Sequence, residues 1–334
     1  MSADAPLRVT LEEYSSTVEE AYRTLLPAHD DRVAAGQLRW KLNDSPAGCG
    51  MAAVARVEGR IVGLNAFMAV RMLVRGRELV GHQSMDTIVL PEARGRGIFG
   101  SLVDCFYREA ASDFLYGFPN SQSAHAFFGR LGWTRFGQVP MMVKPLRMGF
   151  LTRQIFKSRT VVDVGESELL DVIELPGSIP PRIGEAWDEF SSGVEAAIPR
   201  TYEYLRWRLI DHPTISYEMF SGEDGAFSAA SVQNKHGARV GYLMEAIGNR
   251  SGLREVINAS TARMRDRGAE VAFAWSLPGT PAYRSLLRAG YVPFPRKLRP
   301  IEINFGARFL ADTRALVPLR RRDWYISYLD SDTV

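Results

Sequence analysis

The chain has 334 residues, 46% of them hydrophobic and 24% charged, with a net charge of +3. This is the balance of a folded protein long enough for two ordinary domains, and it excludes a largely disordered chain. The small positive excess suits a small anionic ligand and is not the dense basic stripe of a nucleic-acid binder.

The opening "MSADAPLRVTLEEYSST" lacks the apolar core of a signal peptide, and no apolar run approaches the ~20 residues that span a bilayer. At 38–46 stands "LRWKLNDSP". Two alternating runs follow, 51–58 and 60–72, joined at Gly59, and they read as a hairpin. Next comes a strand at 78–90, "ELVGHQSMDTIVL", whose alternation places His82, Ser84 and Asp86 on one face. After Pro91 comes the turn Arg94-Gly95-Arg96-Gly97, then a helix at 100–112 with Leu102, Val103, Phe106 and Ala110 at helical spacing. A strand at 113–118 leads through Asn120 to a short helix ending Leu131-Gly132-Trp133, where the glycine is the usual helix terminator.

Periodicity weakens at 146–195, where "ELPGSIPPRIGE" breaks regular structure and "MGFLTRQIF" (148–156) reads as a weakly amphipathic linker helix. At 205–213 "LRWRLIDHP" repeats the earlier nonapeptide at an offset of 167. The same succession then recurs: a hairpin at 216–234, a strand at 238–247, a helix at 252–268, a strand at 269–276 and a short helix ending Ala289-Gly290-Tyr291. The tail "RRRDWYISYLDSDTV" reads as a final strand with Trp324, Ile326 and Tyr328 on one face. The expected fold is mixed α/β, with two tandem units, each a twisted mixed sheet flanked by helices. The expected domains are 1–150, a linker and leading helix at 151–195, and 196–334. Two cysteines, Cys49 and Cys105, make neither a disulfide framework nor a metal site, so a cytoplasmic protein without metal is expected.

The Arg/Gly turn reads in two ways. A strand, a glycine turn and a helix start leave N–H groups unpaired where the helix dipole favours an anion. Glycines at 95 and 97 permit positive φ, and Arg94 and Arg96 can make charge-assisted bonds to phosphate. The same residues also suit an exposed solvated turn, because short glycine motifs recur by chance. Trp40 and Trp207 likewise suit either stacking on a ligand or packing at a helix end; that both halves keep them, while only one keeps the turn, favours packing.

Pro91, Arg94-Gly95-Arg96-Gly97-Ile98 and the following helix resemble the acyl-coenzyme A loop of the GNAT acetyltransferase superfamily. "GFPNSQSAHAFFGRLGW" (117–133) resembles the next block of that family. The resemblance covers nearly all of the first half and, more weakly, the second. It implies an N-acyltransferase using acetyl-CoA or another acyl-CoA and a small amine acceptor, as a monomer or weak homodimer. It also implies a coenzyme site formed by Ile88, Val89, Leu90, Arg94, Gly95, Arg96, Gly97, Ile98, Phe99, Gly100 and Asn120. Asp86 is the first candidate base and His82 the second, and Asp86 also reads as a buried hydrogen-bonding residue. Glu245 stands at the corresponding strand of the second half.

Two positions depart from the family pattern. The loop's last small residue is Phe99, with Gly100 behind it, and the position of the family's thiolate-protonating Tyr holds Phe128. His125, one helical turn earlier, is either a substitute donor or an ordinary half-buried histidine. The second half has "GNRSG" where the first has the turn, so it reads as a partner that shapes the acceptor side. The whole-chain pattern resembles tandem GNAT proteins of surface-polysaccharide pathways, which implies an amino-sugar acceptor, nucleotide-linked in one version. A Fem-like aminoacyl transferase and a non-catalytic acyl-CoA sensor or structural module are the alternatives.

Overall fold

The computed structural model describes residues 5–147, 178–222, 225–235, 237–299, 302–310, 313 and 319–332, and the expected linker helix at 148–156 lies outside them. The first half runs β1 (Leu7–Glu13), α1 (Ser16–Leu25), α2 (Gln37–Leu42), β2 (Met51–Val57), β3 (Arg60–Val74), β4 (Arg77–Val89), α3 (Ile98–Glu109), β5 (Phe114–Gly117), α4 (Ser121–Phe128), β6 (Thr134–Gln138) and β7 (Met141–Pro145). The second runs α5 (Ile183–Ser191), β8 (Ala196–Ala197), α6 (Tyr202–Leu209), β9 (Glu218–Ser221), β10 (Phe227–Lys235), β11 (Ala238–Ile247), α7 (Arg250–Asp266), β12 (Val271–Trp275), α8 (Pro281–Arg288), β13 (Val292–Pro293) and β14 (Asn304–Phe309). The expected mixed α/β architecture of two sheets flanked by helices is borne out.

The larger sheet has the order β1-β2-β3-β4-β5-β14-β6, with β8 added on β3, and the smaller has the order β13-β7-β12-β11-β10-β9. Each sheet therefore borrows a strand from the other half. β7 pairs with β12 from Met141 to Pro145, and β14 pairs with β5 from Gly306 to Phe309. Neither sheet is complete without the other half's strand.

Two opposed faces of the larger sheet carry separate apolar clusters. Tyr22 and Leu25 of α1 join one, and Leu102, Val103 and Phe106 of α3 join the other. Between the halves, Trp40 and Trp207 pack with ring centroids 5.4 Å apart. Each indole N–H donates to the other's backbone carbonyl, at 2.8 and 2.9 Å. The two residues are separated by the repeat offset itself, so the repeat is a structural two-fold in which these buried tryptophans pack on each other.

The tail is not a strand. Residues 321–323 and 328–330 form short 3₁₀ turns, with one bridge between Ala196 and Trp324. Trp324, Tyr325, Ile326, Tyr328 and Leu329 are all buried, so alternation is absent because the segment is enclosed on every side. Tyr328 stacks on Trp275 and meets Tyr242 edge-on, which places the tail against β11 and β12.

Glu245 does not face a shared cavity. It is buried and accepts from Arg200 Nε at 2.6 Å, from Ser327 at 2.9 Å and from Tyr325. Arg200, fully enclosed, also holds both carboxylate oxygens of Asp330, at 2.8 and 2.6 Å. Arg200→Ala leaves two buried carboxylates without their cation, so it is expected to cost about 3–5 kcal/mol, read as the loss in a urea unfolding curve. A loss below about 1 kcal/mol contradicts this account of the tail's anchorage.

Candidate active site

The strands β4 and β5 pair in parallel only at His82–Leu115 and Gln83–Tyr116. Beyond Gln83 no pairing joins them, and a cavity of about 480 Å³ lies in the opening. Its walls include Ser84–Thr87 and Val89 from β4 and Gly117–Asn120 from the end of β5, with Phe127 of α4 and Trp133 closing the side.

The Arg/Gly turn stands at the mouth. Gly95 and Gly97 have φ of +80° and +72°, a region disfavoured for residues with a Cβ, which is why the turn uses glycine. Among the described residues nothing lies within 4 Å of where a Cβ would stand on either, so the backbone there is open to a ligand. Gly97 begins α3 without a side chain to cap it. The first-turn N–H groups of that helix are thus left for an anion. At the equivalent start of α7, Asn249 accepts from the N–H groups of Ser251 and Gly252 at 3.1 and 3.0 Å, so that helix supplies its own cap.

The expected coenzyme residues divide. Val89, Arg94, Phe99 and Asn120 line the cavity. Arg94 is exposed and also bonds the Val89 carbonyl at 3.3 Å. Arg96 turns away to the Ala5 carbonyl at 2.7 Å, tying the turn to the N-terminal segment. Asn120 caps α4, accepting from Gln122 and Ser123 N–H at 3.0 Å. Ile88 and Leu90 pack in the cores, Ile98 is buried, and the Arg130 guanidinium lies over Gly100.

The expected common face of His82 and Asp86 does not exist. A β-bulge sets Asp86 and Thr87 against the single residue Asn65, and Asp86 adopts φ +47°. That extra residue turns Asp86 to the α1 face, while His82 stays on the α3 face. His82 is buried against Phe106 and bonded to Ser112 Oγ at 3.0 Å. Burial pushes its pKa down to about 4, so the ring is neutral. His125 is exposed and does not line the cavity, and Phe128 packs over Gly306 of β14.

Asp86 instead meets residues that sequence reasoning missed. Its carboxylate accepts from Tyr22 at 3.0 Å and lies 3.6 Å from Lys41 Nζ and 4.0 Å from Arg32. Lys41, its side chain 4% exposed, is also 3.8 Å from Asp332. Asp332 accepts from Gln83 at 3.0 Å, which fixes it at the inner end of the cavity. Burial pushes the Asp332 carboxyl above the ordinary carboxylate value; Lys41 lowers it and Asp86 raises it further. Lys41 carried one signal in the sequence: the repeat keeps a basic residue there, Lys41 and Arg208. Among the described residues no group of three or more His, Cys, Asp or Glu is placed to hold a metal ion.

Residues 13–136 match the model of an acetyltransferase (GNAT) domain, which spans this turn, the strands β4 and β5 and every described wall of the cavity but Asp332. Over these residues the chain is similar to a GNAT acetyltransferase domain. With it comes the expected enzyme class, an acyl-CoA-dependent N-acyltransferase. No curated protein matches the sequence.

Solved structures share the fold along nearly the whole chain. Saccharomyces cerevisiae N-myristoyltransferase with bound myristoyl-CoA and inhibitors is similar over 92% of this chain and 81% of its own, with TM-score 0.55 and 13% identity. A conserved Enterococcus faecalis protein described as a probable N-acyltransferase is similar over 91% and 73%, with TM-score 0.57 and 10% identity. A GCN5-related N-acetyltransferase from Kribbella flavida is similar over 91% and 71%, with TM-score 0.55 and 12% identity. At such identities the likeness is one of fold. Among the described residues no helix is long and apolar enough to cross a membrane.

Arg94→Glu reverses the charge at the cavity mouth. It is expected to weaken acetyl-CoA binding at least about tenfold in isothermal titration, and an unchanged dissociation constant contradicts the placing of the phosphates there.

Proposed function

We propose that the protein transfers a short acyl group, acetyl, from acyl-CoA to the primary amine of a small polar acceptor in a ternary complex. One observation carries this reading: a single cavity runs from the uncapped start of α3 to the carboxylates of Asp86 and Asp332. The α3 amides, Gly95, Gly97 and Arg94 would hold the pyrophosphate, and the opening between β4 and β5 would take the pantetheine arm. The polar inner end supports a short acyl group, since a long alkyl chain would strip water from two carboxylates. An amino sugar, linked to a nucleotide, is the acceptor we infer from the tandem resemblance. The two unpaired cysteines support a cytoplasmic setting, and the internal two-fold makes a monomer sufficient.

The amine must lose a proton before it attacks. Asp332 is the base in this reading, because its raised pKa brings it nearer the operating pH than an ordinary carboxylate. Asp86, bonded to Tyr22 and facing Lys41, sets the charge around that base rather than taking the proton. The carbonyl oxygen needs N–H donors, and the bulge at Asp86–Thr87 interrupts the strand ladder where we place them. Among the described residues no tyrosine lines the cavity.

The base is active only when ionised, so activity falls as the pH drops through its raised value. Asp332→Asn is expected to lower kcat with acetyl-CoA and a reactive amine by about 10²–10⁴ and to abolish the acid limb of the profile. Asp86→Asn removes a like charge, so the acid limb should move to lower pH. An acid limb unmoved in both variants contradicts the assignment. Tight acetyl-CoA binding without turnover on any amine favours the sensor.

A further inference from the structure

A second cavity, of about 530 Å³, meets the first at Asp332, which lines both. It lies between α2 and α6, the two copies of the repeated nonapeptide, and against β10. Its walls carry the two basic residues that follow the paired tryptophans, Lys41 and Arg208. These occupy equivalent positions, 167 residues apart, but their charges are handled differently. Lys41 is compensated by Asp86 and Asp332, at 3.6 and 3.8 Å.

Arg208 has no such partner. It is 2% exposed, with its guanidinium carbon 5.0 Å from the ring of Trp40 and 5.3 Å from that of Trp207. Nη2 donates to the Ser331 carbonyl at 2.5 Å, while Nε and Nη1 have no hydrogen-bond partner among the described residues. No carboxylate among the described residues lies within 4.0 Å of it as an ion pair. A buried cation with idle donors is an expensive arrangement unless an acceptor arrives to use them.

Its neighbours are donors too. His212 Nδ1 accepts from the backbone N–H groups of Thr214 and Ile215, at 3.3 and 3.0 Å. The ring proton is therefore on Nε2, the nitrogen left to donate. Burial pushes the His212 pKa down to about 3, so the neutral ring persists across the working range. The imidazole packs 4.2 Å from Trp40, which holds it beside Arg208. Lys235, on the wall formed by β10, sits 5.7 Å over the Tyr242 ring. The other charged groups of this cavity are Asp31, Arg32 and Asp332; Arg32 is paired with Asp30 at 2.7 Å, so Arg208 is the buried cation of this wall without an ion pair among the described residues.

We propose that this second cavity is an anion subsite for the acceptor. It takes a carboxylate or phosphate, borne by the molecule that carries the reacting amine, on Arg208, His212 and Lys235. This rests on the acyl-transfer reading above, which supplies the amine at Asp332. The spacing is short, because Arg208 bonds the carbonyl of Ser331, the residue before Asp332. Amine and anion therefore belong to one small molecule, and a neutral amino sugar fills only half of the site.

The test is direct binding, read by the fluorescence of Trp40 and Trp207, with inorganic phosphate and acetate as separate probes on the full chain. Saturable binding of either probe is expected, and the tighter of the two identifies the acceptor's anion. Arg208→Gln should weaken that binding at least about tenfold, with acetyl-CoA affinity unchanged. If Arg208→Gln does not fold, Lys235→Gln decides, with a smaller loss expected in the same direction. No saturable binding, or equal affinity in wild type and the folded variant, overturns the proposal. Acetyl-CoA titration runs beside it, so loss of the anion subsite and loss of the acyl-CoA site are read separately.

Discussion

The two indole N–H groups that cross between Trp40 and Trp207 hold the halves of this protein in register. Each donates to the other's carbonyl, the reciprocal arrangement that a two-fold between the repeats produces. The contact is buried, so a broken bond would leave a polar group without water. Because each tryptophan is followed by a basic residue, the same contact sets Lys41 and Arg208 side by side on the wall of one cavity. The site depends on this register, since Lys41 holds Asp86 in the first cavity and Asp332 where the two cavities meet.

From that symmetric frame the halves diverge in backbone chemistry. One helix starts with a glycine and leaves its amides open, while the other starts with Asn249 and closes them. Where β4 and β5 part, a cavity remains. Beside β11 and β12, the tail packs Tyr328 between Trp275 and Tyr242, and Arg200 clamps Glu245 to Asp330 beneath it. One half thus keeps an opening and the other spends it on packing. The exchanged strands β7 and β14 make that division permanent, because each sheet needs the other half to be complete.

What could be read in the sequence was local. The repeat showed itself because Trp and Pro recur at one offset, and the turn because Gly95 and Gly97 occupy backbone states that other residues avoid. Alternation failed at Asp86, because a one-residue bulge flips every side chain beyond it and leaves no mark in composition. It failed again in the tail, where residues buried on all sides have no period to show. The strand exchange and the position of Asp332 are contacts over long separations, Gln83 to Asp332 for instance, and no local pattern encodes them. Strand β1 and helix α1 belong to neither the repeated nonapeptide nor the glycine turn, so no motif points to Tyr22, which holds Asp86.

The most direct test of the central claim is a crystal structure with a non-hydrolysable acetyl-CoA analogue. The pyrophosphate should lie on the backbone N–H groups of residues 95–100, with the acyl carbonyl between Phe118 and the Asp86 bulge. An analogue bound instead at the Asn249 end of α7, or lying outside the opening between β4 and β5, would contradict the account.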